Sequence, residues 1–267
     1  MGLAKTIRTG KLGKLELRVV LKDGIFHGLA GGKPLVQCAN ADDAWNNLIE
    51  EAGKTNSNYF GFDGALARFL HWFPAGFQSS AFLADERKYK IDAKVKLDAT
   101  APLENAATGS GFGEAVWSVY QTNLLSPFEK MRVRDLLRSS AADEFIRAAA
   151  RFALGEGKPA LLEMERASKL HSCAKWTVVS YLPFLWRPGD HMFLKPEATT
   201  EFASRVGHRF AQEYQPGLNF AVYESLLDLA SRTEKKLADL MPRDRIDVQS
   251  LIWVVGDYKE GRETPKT

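Results

Sequence analysis

The sequence predicts an α+β fold, mainly α, in which a small N-terminal antiparallel β-meander precedes a larger helical part. Three observations predict it. Residues 14–22 alternate apolar and polar with a period of two and run into Asp23-Gly24. From about residue 42 onward the apolar period becomes helical. The string Ser126-Pro127-Phe128-Glu129 has the form of a helix-capping box with proline at the first helical position.

In the meander, Leu15, Leu17, Val19 and Leu21 form one face of a strand, with Lys14, Glu16, Arg18 and Val20 on the other. Strands near 14–21 and 25–30 should pair antiparallel across Asp23-Gly24, because that dipeptide tolerates the positive φ a tight hairpin needs. Gly31-Gly32 turns the chain again into the string KPLVQC. Asn40 or Asp42 caps a helix over about 42–53, and Asp63 a short one stopped by Pro74. Residues 81–98 read as a charged helix with Arg87, Lys90 and Lys94 on one face. Small residues and glycines make 99–113 the expected linker. The domain reading is therefore 1–98, a linker at 99–113, a helical domain at 114–258 and a flexible tail at 259–267.

Helices follow Ser126, over 142–154 and from Pro159 to about His171. Three prolines break 176–195 into a buried helix and an aromatic loop. Thr199 or Thr200 should cap a helix to about 214, and Tyr223, Leu226 and Leu227 lie on a helix over 219–240. In the last helix Val248, Leu251, Ile252 and Val255 share one face, with Trp253 off it.

Composition narrows the function classes. The chain has 267 residues, a net charge of +3 and 45% hydrophobic residues, which suits a globular protein with a sizeable core. Two cysteines, Cys38 and Cys173, cannot build a disulfide framework, and no long uncharged apolar run or secretory leader is visible. A cytoplasmic protein that does not enter a membrane is the expectation. P-loop, HExxH and GxSxG patterns are missing, so no cofactor and no metal are expected. The glycines at 109, 111 and 113 lack the preceding strand that a dinucleotide site needs.

Charge placement points to phosphates. Residues 1–22 hold six bases against one acid, Glu16. Lys14, Arg18 and Lys22 lie on the outer face of the first hairpin, and Lys130, Arg134 and Arg138 at four-residue steps on one helix face. These six are the expected nucleic-acid contacts, acting mainly on backbone phosphates. The bland alternative is two solvated surfaces. The aromatic loop, with Trp186, Arg187, His191 and Lys195, offers stacking and pairing groups for an exposed base or for an enzyme site; the competing view is a packed core loop. Asp247 is either a general base or metal ligand, or a helix-start carboxylate beside Asp244. Cys173, between His171 and Lys175, is either an activated thiol or inert. No residue is assigned a catalytic role.

The blocks YFGFDGA at 59–65, TNLLSPFEK at 122–130, PFLWRP at 183–188 with MFLKP at 192–196, and PRDRIDVQSLIWVV at 242–255 resemble an uncharacterised family of bacterial proteins. The resemblance implies a bacterial origin and assigns no chemistry. A weaker likeness, in the order of the C-terminal helices, is to helical DNA-glycosylase-like proteins. The glycine hairpin of that group is missing here, so none of its catalytic residues is carried over. Nucleic-acid binding is the leading expectation. An enzyme acting at 183–196 and a protein–protein adaptor in a bacterial defence system are the rivals.

Overall fold

The computed structural model describes residues 4–12, 14–55 and 57–258. Its fold is α+β and mainly α, with a four-stranded antiparallel sheet at the N-terminus followed by helices. The chain divides into two compact units, Met1–Ala67 with Thr200–Tyr214, and Arg68–Thr199 with Gln215–Thr267.

The first unit is built on a meander of strands β1 (Lys5–Leu12), β2 (Leu15–Lys22), β3 (Ile25–Ala30) and β4 (Lys33–Cys38) in that spatial order. The hairpin pairs Lys22 with Ile25 and Leu17 with Ala30. Asp23 and Gly24 both have positive φ, 49° and 80°, the conformation of a type I′ turn. The inner face carries Leu17 and Val19, fully buried with Ala44, Trp45, Leu48 and Ile49 of the helix Ala41–Gly53. That helix starts at Asn40, whose side chain accepts from the Asp43 amide. β1 brings Gly10 opposite Leu17, on the same face, and a Cβ there would lie 2.6 Å from the Trp45 ring. Glycine at 10 therefore lets the indole press against the sheet. The N-terminal segment thus pairs as an edge strand, which sequence reading missed because Thr6, Arg8, Thr9 and Gly10 break the apolar alternation. Polar, charged edges of this kind also discourage pairing with other chains.

In the second unit the expected linker is structured. Within 99–113, Leu103–Thr108 is helical, and Ala101 and Ala106 are fully buried. Two of the three unit boundaries fall inside helices Gly61–Trp72 and Pro196–Val206, where no composition shift marks them, and the third follows Tyr214. The latter helix begins at Pro196, not at Thr199 or Thr200, and ends before Gly207; a separate short helix, Phe210–Glu213, follows. Proline is well suited to a first helical position, and that outweighs the threonines. The expected tail at 259–267 lies outside the described residues.

The capping box forms as expected: Ser126 accepts from the Glu129 amide and Glu129 accepts from the Ser126 amide at 2.9 Å, opening helix Pro127–Leu137. Helices Ala142–Ala153, Lys158–Lys169, Phe220–Lys236 and Arg245–Asp257 supply much of the core. Residues Ser80–Thr100 run helically, but Leu83–Arg87 forms a π-helical turn. Val248, Leu251, Ile252 and Val255 of the last helix are all buried, as their spacing requires. Replacing the fully buried Leu251 by Ala should cost about 2–5 kcal/mol, measured by denaturant unfolding; a loss near zero would contradict that packing.

Candidate functional site

The expected sites divide three ways. On the sheet, Lys14, Arg18 and Lys22 are exposed, and Arg18 donates to Glu16 at 2.9 Å. Strand register adds Lys11, directly opposite Glu16 on the same outer face, which sequence reading did not single out. Arg8 behaves differently. A register shift between Thr6 and Arg8 turns it to the inner face, where its guanidinium sits 4.3 Å from the Trp45 ring centre.

The helix stripe is largely self-satisfied. Arg138 makes two hydrogen bonds to Glu114, the shorter 2.6 Å, and Arg134 reaches Asp135 at 3.4 Å. Lys130 donates to the Gln121 carbonyl. Charges engaged in this way offer less to a phosphate than the stripe suggested.

The aromatic loop is mostly core. Trp186 donates its indole N–H to the Ala101 carbonyl, and Met192, Phe193 and Leu194 are buried. His191 lies between the Tyr223 hydroxyl at 3.0 Å and the Ala153 carbonyl at 3.1 Å. Burial lowers its pKa to about 4, so the ring is neutral at pH 7. Arg187 is exposed and pairs with Asp190. An open stacking surface at 183–194 is therefore not what the chain builds: the prolines and aromatics pack inward because buried aromatic area stabilises the unit more than exposure would. Cys173 is also buried, which pushes its thiol up to about 11 and argues against an activated thiolate.

Asp247 and Asp244 receive structural roles. Asp244 caps Arg245–Asp257 by accepting from the Ile246 amide at 2.9 Å. Arg87, from the π-helical turn, donates to both oxygens of Asp244 and to Asp247 at 2.7 Å. Asp247 has no exposure and also accepts from the Arg243 amide. Burial raises its pKa against the opposing pull of these donors. With its oxygens taken up by Arg87 and Arg243, Asp247 is poorly placed as the general base or metal ligand considered from sequence.

One residue of the loop, Lys195, does reach a cavity. A cleft of about 190 Å³ is lined by Glu86, Tyr89, Phe193, Lys195, Gln249 and Trp253, among others. Lys195 donates to the Leu124 carbonyl and stands 5.8 Å from the Trp253 ring centre. Behind the wall, Tyr258 donates to Glu86 at 2.5 Å, and the fully buried Lys90 lies 3.5 Å from Glu86 and donates to Ser250 at 2.7 Å. Burial lowers the Lys90 pKa to about 8, with Glu86 opposing. Gln249 is only 3% exposed, and its Oε1 meets no hydrogen-bond donor. Sequence reading missed Glu86, Tyr89 and Gln249. Glu86 and Tyr89 fall in the segment read as a charged helix, and its π-helical turn has no signature in LADER.

No protein-family model, curated protein or solved structure matches the chain.

Replacing Arg87 by Ala should destabilise the protein by about 3–5 kcal/mol in chemical unfolding, because it strands the buried Asp247 charge. His191 predicts a pH dependence. Its folded pKa lies below the ordinary 6.5, so the unfolded chain binds the proton more tightly. The stability due to neutral His191 is full above about pH 6.5 and is lost as pH falls towards 4, by about 3 kcal/mol at most. Melting curves of the wild type and His191→Gln across this range check it; the substitution should flatten the loss.

Proposed function

We propose that the protein binds nucleic acid through the outer face of its N-terminal sheet, mainly by contacts to backbone phosphates. The observation that supports this most is the exposure of Lys11, Arg18 and Lys22 on the face opposite the helix Ala41–Gly53, with Glu16 as the one acid among the described residues of these paired strands. Lys14 extends the same edge. Arg18 and Lys22 are four residues apart on one strand, roughly 13 Å, a spacing that lets them meet different phosphates of one duplex. The same face shows Thr9 and a partly exposed His27, which add neutral donors. On the helix stripe two of three cations, Arg134 and Arg138, face carboxylates, whereas on the sheet only Arg18 does, so the stripe is the second candidate surface.

Titrating duplex DNA at several salt concentrations tests the reading. The triple change Lys11→Ala, Arg18→Ala and Lys22→Ala should weaken binding to all sequences alike. It should also flatten the dependence of log affinity on log salt by about 0.9 for each phosphate contact removed. Thermal stability should hardly change, since exposed ion pairs are worth about 0–1 kcal/mol. Flattening instead by Lys130→Ala, Arg134→Ala and Arg138→Ala would move the interface to the helix stripe, and absence of binding at physiological salt would refute the proposal.

A further inference from the structure

We infer that the cleft at Glu86, Gln249 and Trp253 is a binding site for a single purine or pyrimidine base, free as a nucleoside or carried in a strand. The inference does not rest on the sheet reading, since a free nucleoside needs no phosphate-binding surface.

The buried amide of Gln249 comes first. It sits on a helix whose neighbouring buried residues are packed, yet its Oε1 has no donor. Leaving a buried polar atom unpaired costs about 1–3 kcal/mol, and Gln249 lines the cleft, so a ligand entering there is a partner its amide could take. An amide places a donor and an acceptor side by side in one plane. Base edges match that arrangement with two hydrogen bonds. A pyranose or a simple amine makes no such demand for coplanar pairing.

The walls agree with a flat ligand. Trp253 and Tyr89 are half-buried and line the same cleft, so part of their ring surface is open for stacking, with the buried Phe193 behind them. Base–aromatic stacking is worth about 1–3 kcal/mol for each base. The charged groups are arranged as acceptors and donors of restricted capacity. Glu86 already accepts from Tyr258 and faces Lys90, which fixes its carboxylate. Lys195 is tied to the Leu124 carbonyl beside Trp253. These groups can bond ring N–H and carbonyl positions without a full salt bridge to the ligand. The volume, about 190 Å³, suits one ring system better than a chain of residues. A π-helical turn, a feature often found at functional sites, carries Glu86 to the wall.

The experiment is isothermal calorimetry of the full chain against adenosine, guanosine, cytidine and thymidine. Parallel titrations use a short single strand, the same strand with abasic positions, glucose and L-tryptophan. At least one nucleoside, or the intact strand in preference to its abasic form, should bind with Kd below roughly 1 mM. The strand arm is repeated on the Lys11→Ala, Arg18→Ala, Lys22→Ala protein, so that loss of phosphate contacts and loss of base binding are read separately. Gln249→Leu should weaken base binding by about tenfold or more while leaving the melting temperature nearly unchanged, because the change keeps the buried volume and removes an oxygen that has no partner. Trp253→Leu, at a half-buried position, should weaken binding likewise and provides the readout if the first variant folds poorly. The inference is overturned if no nucleoside or strand base binds, if binding survives both substitutions, or if glucose or L-tryptophan binds with the same dependence on Gln249 and Trp253.

Discussion

The arrangement of the second unit depends on one buried ionic knot. Arg87 reaches from the π-helical turn to Asp244 and Asp247 at the start of the last helix, 157 and 160 residues further along the chain. A buried ion pair adds little to net stability when compared with well-packed apolar residues, since desolvation offsets its attraction. Its value is geometric. It favours one register between the turn and the helix, because any slip would take Arg87 from Asp247 at zero exposure and leave it only its local contacts to Arg243. With that register set, Glu86 falls beside Tyr258, Lys90 reaches Ser250, and Gln249 and Trp253 meet Tyr89 across the cleft. The helix N-terminus contributes as well, because its unsatisfied amides favour the carboxylates of Asp244 and Asp247 there.

The sheet and the cleft make different demands on charged side chains. On β2 the cations stay in water, keep their hydration and cost the fold little. Around the cleft, Lys90 has no exposure, and Glu86, Ser250 and the nearby Asp247 charge favour its ammonium against desolvation. Burial lowers its pKa to about 8, so little of the ordinary preference for the charged form remains. A long-range field from exposed lysines and a fixed set of hydrogen-bonding groups in a wall are distinct kinds of recognition, one tolerant of sequence and one demanding of shape.

What the sequence revealed followed local physics. Alternation and Asp23-Gly24 specified the hairpin, and the Ser126 box specified a helix start, because each depends on residues within a few positions of one another. Leu251 and its stripe were legible because a helix face repeats regularly. The cleft was not legible. Its groups come from near 86, near 124, near 193 and near 250, and only tertiary packing unites them. The spacing of Arg87, Lys90 and Lys94 puts them on one helix face but says nothing of what that face meets, and Lys90 is fully buried. The aromatic loop left two readings open, and the structure takes the packed one. Its residue types fit a stacking surface and a core, and its aromatics went to the core, while Arg187, Gly189 and Asp190 stay exposed and Lys195 reaches the cleft.

That division bears on how the candidate cleft is maintained. Phe193 and Lys195 enter the wall from a segment anchored on both sides. Before it, His191 is held by Tyr223 and Ala153; within it, the Leu194 amide donates to the Ser180 hydroxyl at 3.0 Å. These bonds join buried groups, so breaking one leaves an unpaired polar atom and not merely a looser loop. The wall is therefore preformed, held by buried hydrogen bonds on the side of 191–195 and by the Arg87 knot on the side of the last helix. A preformed wall lowers the entropy that a small ligand must overcome on binding. It also explains why aromatic residues so close to a cleft are nevertheless core residues: the packing that hides Phe184 and Met192 is what holds Phe193 and Lys195 in place.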